Sequence, residues 1–477
     1  MRFFYGVKLF CKKVIKEFKI EHFCLRVGCF LRNPYKMTYH IEPDRGLMND
    51  PNGLIWFKGK YYFFHQWNRF DMNHHYKEWG LFTSTNMIDW TNQGSAILPD
   101  RKLDRNGVYS GSSIEHNGEM YLFYTGNVKK NGERKSYQCI STSKNGRTFI
   151  KEESVIETPA EFTEHHRDPK VWRGENNWWM VVGAQTKERK GAIALYSSCD
   201  LLHWKYENIL YDQQLDNMCE CPDLFSINGE TDILLCCPQV RPEIDDDLTG
   251  VSSYAAFISG KFDEKTKKFL PKGSLELLDY GFDFYAPQSF SDHKGRRILV
   301  GWMSRMSEIE EYLCPTKQYG YLHCLTLPRV VTLKNGKIQQ LPIEEVKQLR
   351  KRKQKFTSSQ GRFELESGRF ELELSRKDCS SDFHLFLRDC SVEIHYYGKK
   401  NVLSVTRVNW VANKKETKVK QVQSLSQMSI FSDNSSIEIF VNDGECVFSL
   451  RYFTEEENLS VKYAGLQQEG ELLYFAF

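Results

Sequence analysis

The sequence has little net charge and no long apolar run. Its 65 Lys and Arg residues and 62 Asp and Glu residues leave a formal charge of +3. This balance gives no global field to attract nucleic acid, and we expect no nucleic-acid partner. No segment has the length of a membrane span or of the apolar part of a signal peptide. We therefore expect a cytoplasmic globular protein without stable membrane insertion.

Patterns typical of metal sites and disulfide frameworks are also missing. No H-x-x-x-H motif accompanies the acidic motifs, and the lone C-x-C of Cys219 and Cys221 lacks a second pair of ligands. The 14 cysteines are scattered, and several, such as Cys236 and Cys237, lie within apolar runs. We therefore expect reduced and mostly buried cysteines, no metal and no cofactor.

Residues 1–37 form a basic and aromatic segment. Val7, Phe10, Val14 and Phe18 recur at helical spacing, with lysines on another face. The pattern predicts an amphipathic helix that docks on the main domain, with a helix on a membrane surface as the alternative. Met37 is an alternative start of translation.

A hairpin pattern recurs about every 60 residues: an apolar run, a tight turn with glycine, and a second apolar run. A second motif, which ends at Trp90, Phe149 and Trp204, keeps the same interval. Two independent signals with one period predict five copies of a four-stranded unit, the blade of a β-propeller. We therefore expect an all-β protein with a five-bladed propeller over residues 38–342. The turn glycines are Gly59, Gly118, Gly174, Gly229 and Gly295.

The repeat stops after residue 342. Residues 343–356 are charged and have a helical pattern, which predicts a linker helix. Residues 357–477 contain short segments in which apolar and polar residues alternate, as in half-buried strands. This pattern predicts a second, smaller domain, a β-sandwich, whose surface could serve as a homodimer interface.

Five polar residues hold nearly the same place in the five repeats, shortly before the turn glycine. The innermost strands of propeller blades surround a central funnel, so we expect these side chains to meet at its entrance. A proline follows two of the acidic residues directly and the third two residues later, and it stiffens the segment that presents each acid. The five residues are Asp50, Ser110, Asp168, Glu220 and Tyr285.

Three carboxylates in one pocket suggest hydrolysis of a glycosidic bond. Their negative charge stabilises an oxocarbenium-like transition state, and crowding of like charges raises the pKa of one member, which then serves as the acid. We expect Arg167 to keep Asp168 ionised and the less polar neighbours of Glu220 to favour its protonated form, so that Glu220 is the acid/base. A sugar-binding propeller without catalysis is the alternative from another class.

Eight motifs surround these residues: GLMNDPNG (46–53), FFHQWN (63–68), EWG (78–80), YSGSS (109–113), RDPKVW (167–172), ECPDLF (220–225), LDYGFDFYAPQSF (278–290) and GWM (301–303). Over about residues 35–477, the chain resembles glycoside hydrolase family 32, which includes invertases, levanases and inulinases. The resemblance implies a five-bladed propeller followed by a β-sandwich, and a retaining β-fructofuranosidase activity on a small-molecule sugar.

The resemblance also implies roles for individual residues. Asp50 would be the nucleophile, Glu220 the acid/base, and Asp168 the residue that stabilises the transition state. Packing in the core is the alternative for two tryptophans of the implied fructose subsite. The subsite would comprise Asn49, Gln66, Trp79, Ser110, Arg167, Tyr285 and Trp302.

The leaving-group side of the substrate is less defined. The segments LHCLTLPR and LDYGFDFYAPQ resemble the bacterial intracellular branch of the family, which implies sucrose 6-phosphate, ahead of sucrose, as the substrate. Fructan hydrolysis and fructosyl transfer are alternatives within the family. A basic cluster follows FFHQWN and predicts a phosphate site, with a solvated loop as the alternative. It comprises Arg69, which replaces the usual Pro, together with His74, His75 and Lys77.

Overall fold

A computed structural model describes residues 32–227, 229–240, 253–334, 336–467 and 469–477. The amphipathic helix predicted between Val7 and Phe18 lies outside these residues. Residues 37–477 form one compact unit that consists mainly of β-strands. No helix in the described parts of the chain is both long and apolar enough to cross a membrane.

Four antiparallel strands in chain order build the first sheet. They are β1 (Gly46–Phe57), β2 (Lys60–Asn68), β3 (Glu78–Ser84) and β4 (Thr91–Ile97). The hairpin between β1 and β2 turns at Gly59, whose φ of 82° lies in the left-handed region that glycine adopts without strain. The turn glycine of the sequence repeat therefore marks the tip of the first hairpin.

Three further sheets repeat this order. The second contains β5 (Val108–His116), β6 (Glu119–Lys130), β7 (Glu133–Ser143) and β8 (Ile150–Glu157). The third contains β9 (Phe162–Arg173), β10 (Trp178–Thr186), β11 (Gly191–Ser198) and β12 (Lys205–Tyr211). The fourth contains β13 (Met218–Ser226), β14 (Asp232–Gln239), β15 (Ala256–Asp263) and β16 (Lys268–Leu277).

The fifth sheet is interrupted by an excursion toward the first. It begins with β17 (Tyr285–Ser291) and β18 (Arg297–Trp302), which are followed by the short helix α1 (Glu308–Tyr312) and a 3-10 turn (Pro315–Tyr319). The two-residue strand β19 (Tyr321–Leu322) then pairs in parallel with β1. The chain returns to the fifth sheet as β20 (Arg329–Lys334) and β21 (Lys337–Pro342).

The five sheets form a closed ring. Each of the innermost strands β1, β5, β9 and β13 contacts the innermost strand of the next sheet, and β17 contacts β1. This arrangement confirms the predicted five-bladed propeller.

Every innermost strand carries an irregularity in its pairing close to the motif residues. The register shifts lie between Met48 and Pro51, Tyr109 and Gly111, Arg167 and Lys170, Glu220 and Asp223, and Tyr285 and Gln288. Such β-bulges re-aim side chains, and a proline is tolerated there because the ladder does not use its missing N–H. The prolines after the motif residues therefore mark the points where side chains turn into the funnel.

Two six-stranded sheets form the second domain. One contains β22 (Arg352–Phe356), β24 (Phe370–Ser375), β29 (Gln427–Asp433), β30 (Ser436–Val441), β31 (Cys446–Arg451) and β33 (Glu471–Ala476). The other contains β23 (Gln360–Glu364), β25 (Phe383–Leu387), β26 (Val392–Tyr397), β27 (Val402–Asn409), β28 (Lys414–Gln421) and β32 (Ser460–Ala464). A continuous apolar core draws residues from both sheets, which confirms the predicted β-sandwich.

The linker helix predicted for residues 343–356 is wrong. The segment forms a 3-10 helix (Glu344–Leu349) and then β22, which pairs with β33. Ile343, Val346 and Leu349 are spaced by three residues, so a helix with three residues per turn brings all of them to one face. All three belong to an apolar cluster that also contains residues of the sandwich.

A buried polar network joins the two domains. Arg329 of the fifth blade donates from Nη2 to Glu438 Oε2 at 2.6 Å and from Nη1 to Asp279 Oδ2 at 3.0 Å. His40, which is also buried, lies 3.0 Å from Glu438 Oε1 and 3.1 Å from Asp433 Oδ2. These pairs hold the propeller and the sandwich in one orientation, because breaking a buried ion pair leaves an uncompensated charge.

Candidate functional site

The bulges bring two rings of residues to a cavity of about 330 Å³ inside the innermost strands. The rings are defined by position along each innermost strand: in four blades, the second-ring residue lies directly before the proline, and the first-ring residue lies two positions before it. The first ring comprises Asn49, Tyr109, Arg167, Glu220 and Tyr285, all of which line the cavity. The second ring comprises Asp50, Ser110, Asp168 and Cys221, which line it as well, and Ala286 in a narrower cavity beneath.

The two rings sharpen the prediction that the polar residues hold nearly one place in the repeat. Asp50 and Asp168 belong to the second ring, whereas Glu220 lies one position earlier, in the first ring. Two of the carboxylates are therefore at one level and the third is at another, as a nucleophile and an acid on different sides of a sugar would require.

Asp50 is held by two side-chain donors. Asn49 Nδ2 donates to Asp50 Oδ1 at 2.9 Å, and the Ser110 hydroxyl donates to Oδ2. Both donors fix the orientation of the carboxylate. The chemistry available to this arrangement is attack by a carboxylate oxygen.

Glu220 is surrounded by groups that favour its charge. Arg167 Nη2 donates to Glu220 Oε1 at 2.6 Å, and the Tyr285 hydroxyl donates to Oε2 at 2.6 Å. Burial raises the pKa of Glu220, but Arg167 and these hydrogen bonds outweigh burial and bring the pKa below its usual value. The expectation that Glu220 is protonated because of less polar neighbours is therefore wrong for the free site.

Asp168 shows the opposite behaviour. Burial raises the pKa of Asp168 to about 7; Arg167 opposes the increase, and the charges of Glu220 and Asp50 add to it. Arg167 Nε lies 4.0 Å from Asp168 Oδ2, farther than from Glu220. The expectation that Arg167 keeps Asp168 ionised is therefore also wrong near neutral pH, because the charge of Arg167 lowers the pKa of Asp168 but does not outweigh burial.

Cys221 links the two second-ring carboxylates. Its backbone N–H donates to Asp168 Oδ2 at 3.0 Å, and its thiol lies 3.6 Å from the same oxygen and 3.9 Å from Asp50 Oδ2. A hydrogen bond with Cys237 and burial raise the pKa of the Cys221 thiol well above its usual value. The thiol therefore remains protonated and can donate to the carboxylates, a role that its place in a C-x-C motif did not indicate.

Most of the implied fructose subsite lines the cavity: Asn49, Gln66, Ser110, Arg167, Tyr285 and Trp302. Trp79 does not. It is fully buried in an apolar cluster, and its Nε1 donates to the Tyr109 carbonyl at 3.0 Å. The structure thus favours the alternative of core packing for Trp79, which supports the cavity wall from behind.

The predicted phosphate cluster is divided. His74 and Lys77 line the cavity, whereas Arg69 and His75 do not. Arg69 donates to the Ser95 hydroxyl at 2.7 Å and lies 3.6 Å from Glu78 Oε2, so its charge is already compensated. His75 is exposed.

Arg134 lines the cavity, although no sequence motif pointed to it. Arg134 lies near the tip of the β6–β7 hairpin. Its Nε donates to Asn127 Oδ1 at 2.8 Å, and its guanidinium group lies over the Tyr109 ring. Its Nη2 is buried and has no hydrogen-bond partner among the described residues. From the sequence alone, a charged residue in a hairpin is expected to face solvent. Only the folded chain brings Arg134 beside the carboxylates.

Two family models match this chain. The N-terminal domain of glycosyl hydrolases family 32 matches residues 40–342, and the C-terminal domain of the same family matches residues 339–471. The sucrose-6-phosphate hydrolase of Bacillus subtilis (strain 168) is 37% identical over 433 residues, which cover 88% of this chain and 89% of the relative. That of Salmonella typhimurium is 36% identical and covers 89% of this chain and 90% of its own.

Solved structures agree with these matches. The sucrose-6-phosphate hydrolase of Lactobacillus gasseri superposes with a TM-score of 0.84 at 28% identity and covers 94% of both chains. A family 32 β-fructofuranosidase of Bombyx mori has a TM-score of 0.81 at 26% identity and covers 96% of this chain and 97% of its own. A mutant of that enzyme, solved in complex with sucrose, has a TM-score of 0.79 at 26% identity, with the same coverage.

Proposed function

The chain belongs to glycosyl hydrolases family 32, and we propose that it is a retaining β-fructofuranosidase that hydrolyses sucrose 6-phosphate, ahead of sucrose, from the fructose side. One observation carries the proposal: carboxylates from the first, third and fourth blades line a single cavity of about 330 Å³. This volume is within the range of small-ligand sites.

In the first step, we propose that an oxygen of Asp50 attacks the anomeric carbon of the fructosyl unit. Asn49 and Ser110 hold the attacking carboxylate by hydrogen bonds. Glu220 transfers a proton to the glycosidic oxygen as that bond breaks, and the glucose part leaves with it. The carboxylates stabilise the oxocarbenium-like transition state by their charge.

In the second step, Glu220 takes a proton from water, and the resulting hydroxide attacks the same anomeric carbon. The bond to Asp50 breaks, and fructose leaves with the configuration that it had in the substrate. Asp168 binds fructose hydroxyls throughout, on the same level of the funnel as Asp50.

The location of the proton differs between the free and the occupied site in this proposal. The pKa of Asp168 is raised to about 7, whereas that of Glu220 is below its usual value, so the free site holds its proton on Asp168. A bound sugar places a hydroxyl on Asp168 and excludes water from Glu220. Desolvation disfavours the charged form of Glu220, which then takes the proton.

For the phosphate of sucrose 6-phosphate, the proposed partner is Arg134. Its unpartnered and buried Nη2 supports this assignment, because a guanidinium group binds phosphate through paired N–H donors. Lys77 is less suited, since its ammonium group already donates to Asn49 Oδ1.

We assign catalysis to residues 38–342 and a supporting role to the sandwich of residues 357–477. The eleven described cysteines are all free and seven are buried, which supports a reducing, cytoplasmic location.

Product analysis tests this function. The purified protein should release fructose from sucrose 6-phosphate with a higher kcat/KM than from sucrose, and it should act poorly on inulin. With methanol as a second acceptor, NMR should detect methyl β-fructofuranoside as the first transfer product, because two inversions retain configuration. The α product would exclude the double displacement.

Two variants test the assigned roles. Glu220→Gln should lower kcat by about 10²- to 10⁴-fold, the usual contribution of general acid–base catalysis, and Asp50→Ala should lose at least as much. Binding of sucrose without hydrolysis by the unaltered protein would instead favour the non-catalytic alternative. Oligosaccharide products longer than the substrate would favour fructosyl transfer.

A further inference from the structure

A continuous series of hydrogen bonds leads from Asp50 to the short helix α1. Asn49 Nδ2 donates to Asp50 Oδ1 at 2.9 Å, and the side-chain oxygen Oδ1 of Asn49 accepts from Lys77 Nζ. Lys77 Nζ lies 3.0 Å from His74 Nδ1, and His74 Nε2 lies 3.2 Å from Glu311 Oε1. The series connects β1, the loop after β2, and the segment between β18 and β19.

The donor and the acceptor of each hydrogen bond in this series can be assigned, because Lys77 can only donate and the two carboxylates at the ends can only accept. The Lys77 ammonium group has only donors, so His74 accepts at Nδ1 and carries its proton at Nε2. His74 therefore donates to the Glu311 carboxylate, which also accepts from buried His323 at 2.8 Å. Negative, positive and negative groups alternate along the series as Glu311, Lys77 and Asp50, which makes it electrostatically consistent.

The sandwich domain holds the helix that carries Glu311. The Trp410 indole donates to the Glu310 carbonyl at 3.1 Å, and Asn409 Nδ2 donates to Glu310 Oε1 at 2.7 Å. A helix of five residues has little stability of its own, so its position depends on such tertiary contacts. The neighbouring residue Glu311 is thereby fixed from the far side of the domain boundary.

A metal site is the competing explanation for part of this arrangement. Ligand atoms of His74, Glu311 and His323 all lie within 4.8 Å of one another. A divalent cation there would stand beside His74, whose other nitrogen faces the Lys77 ammonium group. Repulsion between the two cations in a partly buried site argues against the metal.

We propose that Glu311 is a positioning residue for Asp50, acting through His74, Lys77 and Asn49, and that the sandwich domain supports catalysis by holding α1 through Asn409 and Trp410. The proposal rests on the proposed function, in which Asp50 is the nucleophile. The second domain would thus contribute to catalysis, although the residues that line the cavity all come from the propeller.

The pKa of Lys77 provides a direct readout of the charge of Glu311. Burial lowers the pKa of Lys77 to about 8, and the charges of Asp50 on β1 and Glu311 on α1 oppose the decrease. His74, from the same loop, also faces its ammonium group. If Glu311 loses its charge, one of the two opposing contributions disappears, and the pKa of Lys77 falls further.

The experiment compares Glu311→Gln with Glu308→Gln, an exposed acidic residue on the same helix. Glu311→Gln should lower kcat by about 10-fold with KM changed less than about 2-fold, a typical scale for coupling through a contact network. Glu308→Gln should match the unaltered protein. In lysine labelled with ¹³C at the ε position, the signal that disappears in Lys77→Arg should titrate at lower pH in Glu311→Gln.

Variants in the sandwich test the second half of the proposal. Trp410→Phe and Asn409→Ala should lower kcat in the same direction by a smaller factor. Lys420→Met is the matched control, because it removes another interdomain contact, the 2.7 Å bond to the Tyr280 hydroxyl, away from α1. Thermal unfolding of each variant separates loss of folding from loss of positioning.

Three results would overturn the inference. They are an unchanged kcat in Glu311→Gln, an unshifted Lys77 titration in that variant, and calorimetric binding of Zn²⁺ that alters activity and is lost in Glu311→Gln. Failure of the proposed function is a separate outcome: the unaltered protein would then hydrolyse neither sugar, while the Lys77 titration would still report on the contacts.

Discussion

Arg167 pairs more closely with Glu220 than with Asp168, its neighbour in the chain. Its Nη2 lies 2.6 Å from Glu220 Oε1, whereas its Nε lies 4.0 Å from Asp168 Oδ2. The single guanidinium group therefore separates the two carboxylates in proton affinity. It lowers the pKa of Glu220 against the effect of burial, whereas burial raises the pKa of Asp168 to about 7.

Removing this charge should move the pH dependence of the site upward. In Arg167→Met, the pKa values of both Glu220 and Asp168 rise, because Arg167 lowers each of them. The alkaline limb of kcat/KM should move to higher pH, and kcat/KM should fall by about 10²-fold, as for the loss of one charged donor at the reaction centre. Arg167→Lys should shift the limb less, and an identical profile in Arg167→Met would contradict the pairing.

The shared proton predicts different pH profiles for free and occupied enzyme. The profile of kcat/KM reports the free site and should lose activity as the pH rises through about 7, when Asp168 gives up the proton. The alkaline limb of kcat should lie higher, because bound sugar shifts the proton to Glu220. The apparent pKa values of both profiles belong to the coupled carboxylates as a group and not to one residue.

Asp168→Asn checks this assignment. The proton of the free site must then sit on Glu220, whose pKa is below its usual value, so the alkaline limb of the residual kcat/KM should move to lower pH. A limb that stays in place would show that another group titrates.

Arg134 should determine the preference for the phosphorylated sugar. Arg134→Ala should raise KM for sucrose 6-phosphate by about 10- to 100-fold, the scale of a charge-assisted hydrogen bond, and change the kinetics on sucrose little. Arg69→Ala is the matched control, because Arg69 lies outside the cavity and is paired with Glu78. Equal losses on both sugars would assign Arg134 to the fructose side or to structure.

His40 should make the stability of the protein depend on pH. Hydrogen bonds and charges of Asp433 and Glu438 outweigh burial and raise the pKa of His40 to about 9. Because the folded pKa exceeds the unfolded one, this contribution is fully present below about pH 6.5 and is lost as the pH rises to about 9. Its size is on the order of 3 kcal/mol.

Denaturant unfolding at several pH values measures this effect. The free energy of unfolding should fall between pH 6.5 and 9 more steeply in the unaltered protein than in His40→Gln, whose side chain does not titrate. His75→Gln, at an exposed position, should follow the unaltered protein. Parallel curves for His40→Gln and the unaltered protein would contradict the raised pKa.

Much of the fold follows from periodicity in the sequence. The turn glycines and the motif ending at Trp90 and Trp204 repeat at one interval, which was enough to predict five four-stranded blades. The linker at 343–356 could not be predicted in the same way. Its charged residues favour a helix locally, but the apolar spacing of three and the free edge of β33 decide the structure.

Most of the cavity lining was predictable from motif residues, on the innermost strands and also at Gln66 on β2 and Trp302 on β18. The charge states were not, because they depend on burial and on how closely Arg167 approaches each carboxylate in the folded protein. Arg134 and Glu311 come from a hairpin and a short helix, so no period places them near the carboxylates. Trp79 lies in a motif, yet its ring faces the core.

The bulges on the innermost strands separate the chemistry of this protein from its architecture. A residue such as Asp50 or Cys221 lies where the ladder is already interrupted, so its replacement leaves the paired backbone on either side intact. Each blade thus offers an exchangeable position at the funnel. Ala286, which occupies the equivalent position on β17, shows that a blade can fill this position with an apolar side chain and still close the ring.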